Sequence, residues 1–277
     1  MKENILIIGC GEIGSCLIDG WLTKNRIFSK KIKKISIIET NLSRRNFLKK
    51  KYSSKINFLQ DKEIKSPREK FKNVFLAVKP KDFGKKLDLY NELFDKNTTF
   101  FSLLAGKNIL SIKTLFPNNK NIIRLMLNTQ ICINQGTIIY TSLKRSMNRN
   151  NEILLKMLGN IYYVNNEKYF DVFTAIVGSG PAFFYYLVEA MENAAIKSGL
   201  ERKLAKELLI KTFKGTGAMI SHLNCDAKHL RNKVTSKGGT TEAAINHLQK
   251  SGFKKVISSS LKKAILKSKE FSRISKK

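Results

Sequence analysis

Apolar residues in the first half of the chain form short, uninterrupted runs, the pattern typical of buried parallel strands. Such runs occupy residues 4–8, 34–39, 73–78, 98–104, 121–126, 136–140 and 161–164. Segments of helical spacing or loop composition separate them. Strands alternating with helices predict an α/β fold with a parallel, doubly wound sheet.

The pattern changes near residue 167, where strand-like runs end and long helical periods begin. Helices are predicted over residues 181–198, 202–222, 241–250 and 253–272. Pro181 suits the first turn of a helix, and Gly199 suits a helix C-terminus. These helices are too apolar for solvent-exposed rods, so we expect part of their surface to pack against another subunit.

Composition narrows the class of protein. A chain of 277 residues with 42% hydrophobic residues can bury a substantial core. No signal peptide is recognisable, and no apolar run approaches the roughly 20 residues of a membrane helix. The four cysteines are scattered without a CxxC pair, which predicts free thiols and a cytoplasmic location.

The net charge of +31 would suit a nucleic-acid-binding protein. The charge is spread along the whole chain, however, without basic runs interleaved with aromatics or zinc-finger spacing. We therefore expect nonspecific anion binding but no specific nucleic-acid partner. His222, Cys225 and His229 lack a fourth zinc ligand, so no metal site is predicted.

A glycine loop, Gly9-Cys10-Gly11-Glu12-Ile13-Gly14, lies between the first strand and an amphipathic segment. Gly-x-Gly-x-x-Gly in this context predicts a dinucleotide site, and the alternative is a plain strand–helix turn. Glu39 ends the second strand and suits the ribose hydroxyls of NAD. Arg44 and Arg45 follow closely and suit the 2′-phosphate of NADP, so the sequence leaves the cofactor preference open.

The stretch Ser236-Lys237-Gly238-Gly239-Thr240-Thr241 precedes a predicted helix. Its glycines can turn several backbone N–H groups toward one carboxylate at the positive end of that helix. The alternative is that the threonines only cap the helix.

Residues 178–181 suit either a pocket-lining loop or a tight interdomain turn. Lys79-Pro80 ends a strand where ligands bind in such folds, unless Lys79 is only a solvated loop residue.

Six segments in collinear order resemble the pyrroline-5-carboxylate reductase family. They are residues 8–14, 76–80, 105–106, 124–129, 177–183 and 234–241. The resemblance implies a Rossmann-like domain over residues 1–166 and an all-α substrate-binding and dimerisation domain over residues 167–277. It also implies reduction of 1-pyrroline-5-carboxylate to L-proline by NADPH or NADH, in a homodimer or higher homo-oligomer.

The resemblance also implies roles for individual residues. Those expected to contact the cofactor are Gly9, Cys10, Gly11, Glu12, Ile13, Gly14, Asn41, Val78, Lys79 and Ala105. Those expected to contact the substrate are Glu167, Ser236, Gly239, Thr240 and Thr241. Among these, Thr241 is the predicted catalytic residue, its hydroxyl hydrogen-bonded to the imine nitrogen.

The chain departs from the family pattern at Glu12, Leu127, Gln130 and Lys237, where the family has asparagine or proline. Glu12 would repel a pyrophosphate unless its carboxylate turns outward. Two other hypotheses remain from the sequence: another dehydrogenase of small acids, such as a β-hydroxyacid dehydrogenase, and a nonenzymatic nucleotide- or nucleic-acid-binding protein.

Overall fold

The computed structural model describes residues 3–23, 31–65, 67, 70–79, 82, 84, 87–223 and 225–274. The chain divides into two compact units. Unit 1 comprises Met1–Ser179 together with Ala264–Lys277, and unit 2 comprises Gly180–Lys263. Pro80, which the sequence places beside Lys79 at a strand end, lies outside the described residues.

Within the described residues, unit 1 contains an eight-stranded sheet in the order β3-β2-β1-β4-β5-β6-β7-β8. The strands are β1 Glu3–Ile8, β2 Ile32–Ile38, β3 Asn57–Phe58, β4 Asn73–Leu76, β5 Thr99–Ser102, β6 Ile122–Leu127, β7 Gly136–Ser142 and β8 Gly159–Tyr163. Each predicted run overlaps one of these strands, whereas β3 was not predicted. β3 has two residues, too few to produce a periodic signal.

The sheet is parallel, as predicted, except at one place, where β6 and β7 pair antiparallel. The connection of residues 128–135 is shorter than the dozen or more residues that a parallel crossover needs. Asn134 lies in the left-handed region, with φ at 60°. Its side-chain amide donates to the carbonyl oxygens of Gly20 and Met157, each at 2.7 Å, which fixes the reversal.

Helices cover both faces of the sheet. In unit 1 they are α1 Glu12–Thr23, α2 Leu42–Tyr52, α3 Asp61–Lys65, α4 Ile109–Leu115, α5 Arg149–Lys156 and α6 Phe170–Phe173. Alternate residues along β1, β4 and β5 enter two separate apolar clusters, as the period of two requires. The Phe75 ring stacks on Phe101 at 4.5 Å and meets the edge of the buried Trp21 ring at 5.1 Å.

The remaining helices are α7 Gly180–Lys197, α8 Arg202–Leu223, α9 Ala227–Lys233, α10 Thr240–Lys250 and α11 Phe253–Ile274. The predicted loop at residues 178–181 is wrong. Thr174–Gly178 form a π-helical turn, in which the Ser179 N–H donates to the Thr174 carbonyl at 2.9 Å. Such turns are rare and often mark functional sites.

The C-terminal part of α11 packs within unit 1. The Ser268 hydroxyl is buried and donates to Asp171 Oδ1 at 2.6 Å. A Cβ added to Gly106, whose φ is +76°, would lie 2.8 Å from the backbone of Phe271 and Ser272. The backbone of α11 therefore lies directly against the segment that follows β5.

Unit 2 has almost no buried interior of its own. Among its described residues, Gly180 and Ala205 are the ones classed as buried. Phe184, Tyr185 and Tyr186 on α7 are 56%, 60% and 71% exposed. So much exposed aromatic surface indicates a binding face for another polypeptide or for lipid.

One helical stretch of the described chain, Glu167–Lys197, is long and apolar enough to cross a membrane by length and composition alone. Its apolar window has a mean hydropathy of 1.3 and is 17% buried. The expectation from the sequence concerned uninterrupted apolar runs, none of which approaches about 20 residues. Hydropathy averaged over a window, by contrast, tolerates isolated polar residues.

Candidate functional site

The three glycines of the loop between β1 and α1 meet three different steric demands. Gly9 has φ +79°, and a Cβ there would lie 2.8 Å from the backbone of Val78. Around Gly11 a Cβ would meet nothing within 4 Å, whereas at Gly14 it would lie 3.1 Å from the Gly9 carbonyl. The loop is thus turned tightly at Gly9, open to a ligand at Gly11 and packed closely at Gly14, as a dinucleotide loop requires.

The Glu39 carboxylate is fixed by backbone amides on both of its oxygens. Oε2 accepts from the Cys10 N–H at 2.9 Å, and Oε1 accepts from the Asn41 N–H at 2.8 Å. Glu39 therefore connects the end of β2 to the glycine loop and to the start of α2. The Asn41 side chain caps α2 by accepting from the Arg44 N–H at 2.8 Å.

The Arg44 side chain reaches from α2 to the glycine loop. Its Nε donates to the Cys10 carbonyl and its Nη2 to the Gly11 carbonyl, each at 2.8 Å. Nη2 also contacts the Ser15 hydroxyl. These contacts join residues about thirty positions apart in the chain, so neither periodicity nor motif spacing reveals them.

A cleft of about 880 Å³ lies at the carboxyl ends of β1, β2 and β4. Six of the predicted cofactor residues line it, namely Gly9, Gly11, Glu12, Asn41, Val78 and Lys79. Cys10, Ile13 and Gly14 belong to the same loop but do not line the cleft. Ala105 follows β5 and is half-buried outside the lining. The sequence did not predict Ser43, Phe47 or Tyr90 as cleft residues, although they also line it.

The cysteines of this region are neutral. Burial raises the pKa of the Cys10 thiol to about 12 against the opposing effect of the Arg44 charge. Burial likewise raises the pKa of Cys16 to about 12. Neither residue is a thiolate near neutral pH, and all four cysteines are free, as predicted.

The predicted substrate loop, residues 236–241, lies in unit 2 and leads into α10. Gly239 is the N-cap residue of α10 and makes no side-chain capping hydrogen bond. The alternative that Thr240 and Thr241 serve as helix caps is therefore wrong. The hydroxyls of these threonines, and their backbone N–H groups in the first helical turn, make no hydrogen bond to a described residue.

Fewer backbone N–H groups are available to a substrate carboxylate than the two glycines of this loop suggested. The Gly238 N–H already donates to Glu242 Oε2 at 2.8 Å. The Gly239 N–H donates to the Ser236 carbonyl at 3.1 Å. A ligand would therefore find its backbone donors at Thr240 and Thr241, with the exposed Lys237 close in sequence.

Glu167 lies in unit 1, in a buried ionic contact. Its Oε1 accepts from Arg124 Nη1 at 2.8 Å and from the Ile109 N–H at 2.9 Å. The guanidinium of Arg124 lies 4.3 Å from the Phe170 ring centroid. This carboxylate thus joins β6 to the first turn of α4.

Among the described residues, no group of three or more His, Cys, Asp or Glu side chains is arranged to hold a metal ion.

These features define a class, the oxidoreductases that bind a nicotinamide dinucleotide on a Rossmann-like domain. Residues 4–106 match the family described as NADP oxidoreductase coenzyme F420-dependent. Residues 167–271 match the family described as pyrroline-5-carboxylate reductase dimerisation.

Individual relatives identify the family. The chain is 30% identical to pyrroline-5-carboxylate reductase 1 of Bacillus spizizenii, over 98% of this chain and 90% of that protein. It is 28% identical to the enzyme of Aquifex aeolicus, over 98% of both chains. The crystal structure of Plasmodium falciparum pyrroline carboxylate reductase with NADP bound matches at a TM-score of 0.81, with 25% identity over 98% of both chains. The chain belongs to the pyrroline-5-carboxylate reductase family.

Family membership confirms the resemblance drawn from the sequence motifs. A dimerisation family over residues 167–271 also accounts for the exposed apolar side chains of unit 2 and of the stretch Glu167–Lys197, since a second subunit would cover them. It indicates a homo-oligomer. The relatives give no support to the hypothesis of a nonenzymatic nucleic-acid-binding protein.

Proposed function

We propose that the chain reduces 1-pyrroline-5-carboxylate to L-proline with NADPH or NADH, the last step of proline biosynthesis. The observation that carries the proposal is the match over 98% of the chain to a curated reductase. The dinucleotide cleft and the unengaged threonines of α10 are consistent with this reaction.

The chain's own residues fit the cofactor. The open face of Gly11 and the N-terminus of α1 suit the pyrophosphate, because backbone N–H groups and the helix dipole both favour an anion there. Glu39 suits the ribose, and Lys79 borders the cleft from the end of β4. When bound, the cofactor supplies the hydride that the imine carbon accepts.

The substrate presents a carboxylate and a cyclic imine, and we assign both to the start of α10. The N–H groups of Thr240 and Thr241 suit the carboxylate, aided by the positive end of the helix. The Thr241 hydroxyl accepts a hydrogen bond from the protonated imine nitrogen, which orients the ring and keeps the acceptor carbon electrophilic. Ser236 supports this loop, since its carbonyl accepts from the Gly239 N–H at 3.1 Å.

Three further assignments complete the proposal. Glu167 remains a proposed substrate residue. Its Oε1 already accepts two hydrogen bonds. A substrate would therefore donate either to Oε2 or to Oε1 alongside these two donors. A division into domains at residues 166 and 167 is supported by the dimerisation match, which begins at residue 167. The compact units instead divide between Ser179 and Gly180, and the chain returns to unit 1 at Ala264. A cytoplasmic location is supported by the four free cysteines, because disulfides are rare in reducing compartments.

The test follows the absorbance of NADH and NADPH during incubation with 1-pyrroline-5-carboxylate. We expect oxidation by the wild type and a decrease of about 10–100-fold in kcat/KM for Thr241→Ala, the loss expected for one hydrogen bond to a charged group. The dissociation constants of the cofactors should not change.

Thr216→Ala is the matched control, because the Thr216 hydroxyl donates to the Thr212 carbonyl within α8. Wild-type turnover of Thr241→Ala would remove this residue from the mechanism. Absence of oxidation with either cofactor would overturn the proposed reaction.

A further inference from the structure

The ribose end of the cleft carries a fixed negative charge. Glu39 lines the cleft, and its two oxygens are held by the N–H groups of Cys10 and Asn41. These bonds prevent the carboxylate from turning away when a ligand enters. Each carboxylate oxygen retains a lone pair that can accept from a ribose hydroxyl.

Arg44 cannot bind a phosphate bidentately without leaving the glycine loop, because Nη2, which belongs to both possible N–H pairs, already contacts the Gly11 carbonyl and the Ser15 hydroxyl. An arginine binds an oxyanion bidentately through a pair of parallel N–H groups. In Arg44 the Nε and Nη2 groups that form such a pair donate to the carbonyls of Cys10 and Gly11. Breaking both bonds would leave two loop carbonyls without these donors.

Among the described residues, the other cations near this end of the cleft are also poorly placed. The Arg45 guanidinium lies over the Phe58 ring, 5.4 Å from its centroid, and Arg45 does not line the cleft. Lys79 follows β4, and β1 lies between β4 and β2. With about 4.8 Å between neighbouring strands, the chain at Lys79 is separated by about two strand spacings from the chain at Glu39.

A 2′-phosphate would therefore bring a charge of about −2 next to a fixed carboxylate, with no uncommitted arginine among the described cleft residues. A 2′-hydroxyl at the same place would donate a hydrogen bond to that carboxylate. We infer that the chain prefers NADH to NADPH, with Glu39 as the residue that determines specificity and Arg44 as a positioning residue for the glycine loop.

The test measures the dissociation constants of NADH and NADPH by quenching of protein fluorescence, and kcat/KM with each cofactor. We expect the wild type to favour NADH by about tenfold or more, since juxtaposed like charges strongly penalise binding. Glu39→Gln should reduce this ratio by about tenfold while the fold is retained, as judged by circular dichroism.

Arg44→Ala should weaken both cofactors by a similar factor, leaving the ratio unchanged and kcat at saturating cofactor close to that of the wild type. Arg45→Ala is the matched control on the same helix and should change neither constant. Selective loss of NADPH binding in Arg44→Ala would show that Arg44 receives the phosphate and would overturn the inference. A wild-type preference for NADPH would overturn it as well.

The inference rests on the proposed function only for the kinetic measurement, because the binding measurement needs no substrate. If NADH binds more tightly but pyrroline-5-carboxylate is not reduced, the proposed reaction fails and the inference stands. If pyrroline-5-carboxylate is reduced and NADPH binds more tightly, the opposite holds.

Discussion

Replacing Glu167 with glutamine should destabilise unit 1 far more than an ordinary surface substitution does. Glu167 neutralises Arg124, whose side chain is 7% exposed, while that of Glu167 is 28% exposed. Glutamine keeps the shape and one acceptor oxygen but leaves the guanidinium as a buried, uncompensated charge.

The magnitude follows from burial. Removing one partner of a fully buried ion pair costs about 3–5 kcal/mol. Because Glu167 is partly open to solvent, water screens some of the lost attraction, and we expect a loss of about 2–3 kcal/mol. Glu152→Gln is the matched control, since Glu152 pairs with Lys156 at 2.6 Å with side chains 39% and 58% exposed. Its expected cost is below about 1 kcal/mol.

The assay is urea-induced unfolding followed by circular dichroism, at one protein concentration because the chain oligomerises. Removing the buried cation as well, in Arg124→Met/Glu167→Gln, should recover part of the lost stability. Equal shifts for Glu167→Gln and Glu152→Gln, or a double variant much less stable than Glu167→Gln, would refute the argument from burial. The KM of Glu167→Gln for pyrroline-5-carboxylate reports separately on the proposed substrate contact.

Four other outcomes are expected. Gly9→Ala should abolish binding of both cofactors in a fluorescence titration, because a Cβ would lie 2.8 Å from the Val78 backbone. Lys237→Pro should raise the KM for pyrroline-5-carboxylate by removing a cation beside its carboxylate, and an unchanged KM would exclude that role. Tyr186→Glu should shift the sedimentation of the chain toward the monomer, whereas Leu110→Glu, at an exposed position in α4, should not. Burial raises the pKa of Cys10 from 9.0 to about 12. The stabilisation of the folded state by this buried neutral thiol is therefore complete below about pH 9 and is lost as the pH rises toward 12. The fall in urea midpoint over this range should be smaller in Cys10→Ala.

The sequence predicted the sheet well because buried strands require long apolar runs. Its misses have local physical causes. The β6–β7 pairing depends on the length of a connection, and hydrophobic periodicity carries no information on strand direction. The seven-residue helix α9 is too short for a clear helical period, and the π-helical turn before α7 ends at Gly178, and the sequence Gly178-Ser179-Gly180 also suits a loop.

The candidate site was predicted in part. The spacing of Gly9, Gly11 and Gly14 located the dinucleotide loop, since each glycine meets a demand that depends on its immediate neighbours. The contacts of Glu39 and Arg44 were not predicted, because they depend on how α2 folds back over the loop. The sequence could also not show that Gly239, rather than a threonine, occupies the N-cap of α10.

Unit 1 is discontinuous in the chain, which has a consequence for the order of its synthesis. Its last segment, Ala264–Lys277, is translated after all of unit 2. The bond from Ser268 to Asp171 spans 97 positions, so closing this long loop carries a substantial entropic cost. Until residues 264–277 leave the ribosome, Gly106 and Asp171 lack these partners. We therefore expect a nascent chain truncated before Ala264 to carry an incomplete first unit, and full protection from proteolysis to appear only once this segment has emerged.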